Sequence, residues 1–416
     1  MKTSTSSFLK VSQALALTVC VTFALVTHAQ QATTATPTVS QGDVNQQLLQ
    51  RINDLEAKVK ELQAKQGTAV AAPAPEPEVA PEPRRVNEVS ERLKFRVFGD
   101  VGYRATDQKG LPNTFELGSL DLFMTARLSD RVSALAEILF LPGTDNAIAP
   151  DIERLLLQYH HNDYLTVGMG RYHTSIGYYN TAFHQGAWFQ TAVDRPFMYA
   201  FDDQGGFLPL QEVGVTASGK IPSGRLGLDY VAEVGNGRIH LLGADPAQNR
   251  QSYHNGKSFN LALNSSPHAI PGLNVGFSFY HDHLTFADLG NHTERISVAH
   301  VVYLNTTYEF LNEVMLVNHT NIGLPSSNSL GAYTQFSRRF GSYRPYFRYA
   351  YMNVSASDQV YSDPTEGEVV TRRNGPSFGL RYDFTEHTAF KLQYDRLERR
   401  DLPTSNGLAT QFAFTF

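Results

Sequence analysis

The chain has one cysteine and one tryptophan in 416 residues, and Asp, Glu, Lys and Arg together make up only 18% of it. The single cysteine, Cys20, sits inside an apolar leader stretch, so the segment after the leader has no disulfide framework and no thiol chemistry. Past position 30 no apolar run approaches the ~18 residues of a spanning helix, which excludes a helical membrane protein there. The formal net charge is −5 with no polycationic tail, so nucleic acid is not the expected partner. What the chain does have is 26 Phe and 20 Tyr. Many aromatics with few charges and no long apolar run suit a transmembrane β-barrel, in which a lipid face alternates with a polar lumen.

Three segments precede that region. Lys2 and Lys10, an apolar stretch from Ala14 to Val26 and the small-residue site Thr27-His28-Ala29 follow the order of a secretory leader, 1–29. Val19 before Cys20 does not suit a lipidation site, which needs a small residue there. In 30–67, Leu48, Ile52, Leu55, Val59 and Leu62 are spaced 4, 3, 4, 3, the a/d seam of a short coiled coil. Asp54–Lys58 and Glu56–Lys60 are i,i+4 pairs with the acid first, the helpful order, and Asn45 falls at an a position. A helix this short is marginal alone; it pairs with copies of itself or docks as a single amphipathic helix. The stretch 68–93 is proline-rich and too poor in apolar residues to fold, which predicts an extended spacer.

From residue 94 to 416 the period becomes two. Phe378, Leu380, Tyr382 and Phe384 alternate with Ser377, Gly379, Arg381 and Asp383. Tyr343, Pro345, Phe347, Tyr349 and Tyr351 alternate with polar partners that include Arg344 and Arg348. About sixteen candidate strands run from 94–105 to 405–416, most of them about ten residues or longer, as a tilted membrane strand requires. Very short turns, at Ser129-Asp130, His161-Asn162, Gly341 and Thr385-Glu386, alternate with longer segments: 106–112, 143–149, 172–208, 235–257, 284–293, 355–370 and 398–404. That asymmetry is the outer-membrane pattern, with the short turns periplasmic. The predicted fold class is therefore all-β, an antiparallel transmembrane barrel behind a short N-terminal coiled-coil helix.

The ending QFAFTF with Phe416, the leader, coiled coil and proline-rich spacer ahead of the barrel, the length of the third external loop (172–208) and the segment VGMGRYHTSIGYYN (167–180) leading into it resemble the sixteen-stranded bacterial outer-membrane porins. The phosphate-selective porin O and P type and similar trimeric porins are the nearest in layout. The resemblance implies a homotrimer in outer-membrane lipid, a third loop folded into the pore, passive passage of small hydrophilic solutes or ions, and no cofactor. Basic lumen residues are not dense enough to carry over phosphate selectivity.

The polar face of each strand gives the expected pore lining: Arg96, Asp100, Arg104, Asp121, Arg127, Glu137, Arg154, Arg344, Arg348, Arg381, Asp383, Lys391 and Asp395. A charge turned to lipid would cost roughly 2–4 kcal/mol at mid-depth, which favours the inward assignment. Closure between the first and last strands would bring Arg96, Arg344, Arg348, Arg381 and Lys391 onto one basic wall. Such a wall sets charge selectivity, or its charges pair and merely fill the lumen. The third loop carries Trp188, Asp194, Arg195, Asp202 and Asp203 as candidate constriction residues, and its aromatics either stack on sugar rings or pin the loop to the wall.

Catalytic and metal readings are weaker. His281 with His283, and His160 with His161, have no third ligand at a recognisable spacing. No G-x-S-x-G or H-E-x-x-H motif is present, and the proximity of Asp202, Asp203 and His184 makes no triad. The rival readings are a barrel tether to the cell wall with a plugged lumen, and an enzyme at the outer rim.

Overall fold

A computed structural model describes residues 57–58, 92–142, 147–183, 186–200, 205–238, 255–286, 290–321, 325–361, 372–400 and 402–416. The chain divides into two units, 1–82 and 83–416. Of the first, only Ala57 and Lys58 are described, both helical. The expected leader and most of the coiled coil and spacer lie outside the described residues.

The second unit is a closed antiparallel barrel of sixteen strands in which each pairs with its sequence neighbours and the last pairs with the first. In chain order they are β1 Leu93–Thr106, β2 Thr114–Arg127, β3 Val132–Pro142, β4 Ile148–Asn162, β5 Leu165–His173, β6 Gln211–Ile221, β7 Leu228–Gly235 and β8 Ser258–Ser265, followed by β9 Leu273–Phe286, β10 Gly290–Leu304, β11 Tyr308–Asn321, β12 Ser327–Arg338, β13 Tyr343–Asn353, β14 Arg373–Asp383, β15 Thr388–Arg399 and β16 Ser405–Thr415. Closure runs from Phe98 opposite Thr415 to Thr106 opposite Gly407. The terminal Phe416 extends the ladder, its N–H and C=O both bonded to Val97 (3.1 and 2.8 Å). Closing the sheet removes the unpaired edges that a membrane cannot satisfy.

The alternation explains the wall. Phe277, Val314, Phe347, Phe378 and Phe412 turn outward and are exposed, while their neighbours Ser278, Glu313, Arg348, Ser377 and Gln411 are buried inside. The short turns form where local chemistry closes them. Asn305 Oδ1 accepts from the N–H groups of Thr307 and Tyr308 at 2.8 and 2.7 Å, an Asx-type turn between β10 and β11. Gly341 takes φ +60° between Phe340 and Tyr343, a left-handed position that suits glycine.

Two expectations change. Most of 284–293, expected as loop, is strand, because β9 runs to Phe286 and β10 begins at Gly290. Here the usual polarity is not kept, with apolar Leu284 buried inside and polar His281 and His283 on the other face, so the period-two signal fades although pairing continues. Nor is the inner face polar all round. Leu284, Ile296, Val298, Val302, Leu311, Met315, Val317 and Met352, on β9 to β13, have no exposure at all. Residues of the third loop cover them.

Candidate functional site: a loop strapped across the lumen

The third loop joins β5 to β6 through residues 174–210. It carries two short helices, α1 Tyr179–Ala182 and α2 Gly186–Phe189, and a 3₁₀ turn at Phe197–Tyr199. Its two legs are fastened where they leave the wall. Thr174 N–H donates to Leu210 O at 3.0 Å, and the Asn180 amide donates to Thr174 O and Leu210 O at 2.9 and 3.1 Å. Ile176, Tyr179, Phe183, Met198, Tyr199, Phe207, Leu208 and Leu210 pack with the apolar inner faces of β9 to β13 into one buried cluster. The loop aromatics pin it to the wall. Close approach depends on Gly331 of β12, where a Cβ would stand 2.7 Å from that of Met198.

A buried loop must find partners for its backbone N–H and C=O groups, and barrel side chains supply them. Glu233 of β7 accepts from Ser175 N–H and hydroxyl at 3.0 and 2.9 Å. Ser278 of β9 accepts from Gly177 N–H at 2.9 Å; Gly177 is at φ +74°, and a Cβ there would collide with the Tyr199 hydroxyl. Glu313 of β11 accepts from Tyr178 and Tyr179 N–H at 2.7 and 2.9 Å. It also accepts from the Tyr199 and Tyr333 hydroxyls at 2.6 and 2.8 Å. Glu309, two same-face positions back along β11, accepts from the Thr191 hydroxyl and the Gln335 amide at 2.9 and 2.7 Å.

The far wall supplies mostly donors. Lys391 donates to Ala187 O and Ala192 O at 2.6 and 3.1 Å. Arg381 donates to Trp188 O and Gln190 O at 2.7 and 3.1 Å and lies 5.3 Å over the Trp188 ring. Arg348 donates to Asp194 O, and Gln393 accepts from Val193 N–H at 2.9 Å. Phe98 of β1 meets Phe189 at 5.4 Å. Contacts on β7, β9, β11, β13, β14, β15 and β1 take the loop from one side of the lumen to the other.

The residues expected to line the pore therefore fall into groups. Lys391, Arg348 and Arg381 are buried, with their charged heads against loop carbonyls rather than open water. Arg344 reaches Thr191 Oγ1 at 3.4 Å and Glu309 at 3.7 Å, and Asp383 pairs with Arg381 and Arg339 at 2.7 Å each. Glu137 pairs with Arg154 beside the fully buried Asp121. Arg127 pairs with Asp130 at a short-turn rim, where both are exposed. Asp100 accepts from Ser119 N–H and Gln411 at 3.0 and 2.9 Å, and Asp395 accepts from Ser377 at 2.5 Å. Arg96 is exposed. Arg195 stays within the loop, donating to Tyr199 O at 2.6 Å over the Tyr179 ring. Asp202 and Asp203 lie outside the described residues. Glu309 and Glu313 are absent from the expected lining, because they share the inward face of β11 with apolar Leu311, Met315 and Val317, which blurs the alternation there.

One edge of the loop remains wet. Arg104 bonds Asp194 at 2.8 Å and Glu116 at 3.2 Å, and these three side chains keep 42%, 35% and 40% of their surface exposed. Crowding by the surrounding protein would raise the Asp194 carboxyl. The Arg104 charge and its hydrogen bond, helped by Arg348 and Gln393, outweigh that and hold it below the ordinary carboxylate range. A group with a depressed pKa stabilises the docked loop above its ordinary range, and the stabilisation is lost as pH falls through the depressed value. Wild-type conductance should stay steady from neutral pH through the ordinary carboxylate value of 3.8 and loosen only below it. Asp194→Asn should be loose at every pH. A wild-type transition at ordinary carboxylate pH would show that the Arg104 pair does not hold the loop. Among the described residues no cluster of three or more His, Cys, Asp or Glu is placed to hold a metal.

A sixteen-strand closure with its longest inner loop strapped across the lumen can be set against solved barrels. An anion-selective porin from Comamonas acidovorans is 11% identical with a TM-score of 0.57, covering 78% of this chain and 99% of that one. The chain has the fold of the sixteen-stranded porins. The outer membrane channel DcaP of Acinetobacter baumannii shares this porin fold at 9% identity and TM-score 0.53, covering 78% and 97%. So does the trimer form of OmpT, an outer membrane protein of Vibrio cholerae, at 8% identity and TM-score 0.52, covering 78% and 99%. No family model and no curated protein sequence matches the chain. The likeness is one of architecture, carried by pairing and closure rather than by shared residues.

Proposed function

We propose that the protein is a porin of the bacterial outer membrane, a water-filled passage for small hydrophilic solutes moving down their own gradient, with no catalytic step. The observation that carries this is the third loop, strapped across a closed barrel with one edge packed and the other lined by part-exposed charges. Such a loop narrows the lumen without filling it. Arg96, Arg104, Asp100, Glu116 and Asp194 would face the opening, so side chains of both signs would tune ion preference. The barrel tether with a plugged lumen is the rival reading, and it predicts no conductance.

The test is single-channel recording of the reconstituted protein in planar bilayers, with reversal potential in a salt gradient. Open steps of stable size support the channel; silence from a correctly folded barrel would move the weight to the tether. Cleavage after Ala29, a periplasmic coiled coil over 30–67 and a spacer over 68–93 belong to the same proposal, as does a homotrimer. An even strand number puts both barrel ends on the short-turn side, where a periplasmic helix would join. Deleting 41–85 is expected to weaken trimers without abolishing insertion. Unchanged trimer bands on unheated gels would remove the assembly role.

A further inference from the structure

A polar cavity of about 330 Å³ lies on the inner side of the wall, at the long-loop end of β10, β11 and β12. Its floor is buried: His292 of β10, His319 of β11, Ser327 of β12 and Asp358 from the segment after β13. Its rim is more accessible, with Asn321, Gln359, Pro325 and Ala356. The segment after β13 is held in place. Asp358 accepts from the Ser327 and Ser329 hydroxyls at 2.9 and 3.3 Å and from Val360 and Tyr361 N–H at 3.1 Å each. The Tyr361 hydroxyl donates to Phe207 O at 3.0 Å, which ties the segment to the returning leg of the third loop. The charges around the floor are matched. Asp358 stands 2.9 Å from Nδ1 of His319 and Glu294 stands 3.0 Å from its Nε2, while Arg238 lies 3.5 Å from Glu294. Two basic and two acidic side chains thus engage one another, so a charged solute gains little from them.

The uncharged groups are held less tightly. Gln359 Oε1 and Asn321 Nδ2 stand 3.4 and 3.3 Å from His292 Nε2, longer than the ~2.9–3.0 Å of a well-formed bond. A ligand hydroxyl can take the place of either contact at little cost. Each amide both donates and accepts, as does the Ser327 hydroxyl, and a sugar hydroxyl does the same. Pro325 and Ala356 add a small apolar surface for the C–H face of a ring. We infer that the cavity binds a small neutral polyol, about one sugar ring in size, at the outer mouth before it enters the passage. The inference deepens the channel reading proposed above and rests on it for the placement of the mouth. The volume is at the lower end of the ~300–1,000 Å³ typical of small-molecule sites, which suits one ring rather than a chain of them.

The full-length protein in detergent would be titrated with D-glucose, D-galactose and myo-inositol, and with succinate as a charged solute, and binding read by saturation-transfer difference NMR. Wild type should transfer magnetisation to at least one polyol and none to succinate. The double variant Asn321→Leu, Gln359→Leu removes two rim amides. It should bind that polyol about threefold to tenfold more weakly, the loss expected for one or two neutral hydrogen bonds. Lys220→Ala, a change near the short-turn rim, should bind like wild type. Transfer to none of the three polyols would overturn the inference. So would unchanged affinity in the double variant, which would put the contact elsewhere in the barrel, or displacement of the polyol by succinate, which would mark an anion site. Heat-modifiability on gels checks folding, and if the double variant fails that check Gln359→Ala carries the same comparison. Binding read this way needs no open channel. Silence in bilayers would sink the channel reading whether or not a polyol binds, so the two ideas fail separately.

Discussion

Glu313→Ala is expected to leave the barrel intact while turning a steady channel into one of larger, fluctuating conductance. The Glu313 carboxylate accepts from two loop N–H groups, Tyr178 and Tyr179, and from the Tyr199 and Tyr333 hydroxyls, all within 2.9 Å. Alanine cannot accept any of them. Leaving buried donors unmatched costs roughly 1–3 kcal/mol each, so even partial loss exceeds what most single contacts contribute. None of the sixteen strand pairings depends on this side chain, so heat-modifiability on gels should persist. Glu313→Gln retains one acceptor oxygen and should fall between the two. Wild-type conductance and noise in the alanine variant would show that the loop is held without this carboxylate.

Lys391→Met separates two roles that the sequence leaves open for one residue. If the ammonium lines the channel, its loss should shift the reversal potential at nearly constant conductance. If it anchors the loop, the reverse holds. Lys391 is fully buried and donates to Ala187 O and Ala192 O, so the anchor outcome is expected. Methionine fills much of the volume but leaves two carbonyls without their donor, at roughly 1–3 kcal/mol apiece. The 187–192 segment should swing free and conductance rise. Because Arg381 grips Trp188 O and Gln190 O in the same segment, adding Arg381→Ala should enlarge the effect more than additively, as for contacts that share one element. A selectivity shift without a conductance change would return Lys391 to the channel lining.

The barrel was legible in the sequence because alternation is a local signal repeated many times, as in Tyr343 to Tyr351 and Phe378 to Phe384. Aromatic load and the terminal Phe416 told its lipid face from that of a soluble sheet. The signal failed where the usual polarity of the two faces is not kept: at the start of 284–293, where the inner Leu284 is apolar and the outer His283 before it polar, and inside β9 to β13, where Ile296, Leu311 and Met315 are apolar although they face inward. What they face is the third loop, and no strand pattern encodes that. The same gap explains the basic residues. Parity placed Arg348, Arg381 and Lys391 on the inner face, but whether an inner charge meets water or a carbonyl depends on the path of a loop some 150 to 200 positions away in sequence.

That separation has a consequence for the order of assembly. The loop's partners include Arg104 on β1 and Gln393 on β15, strands from opposite ends of the chain that share only β16 between them. Contacts so distant in sequence form late, after nearer pairings have shortened the effective path. The seat on β9 to β13 can form from neighbouring strands, but the contacts of Arg104 and Phe98 with the loop wait until the two ends of the sheet have met. A barrel that fails to close would thus hold its loop by one side only, and the far edge of the passage would be left unset.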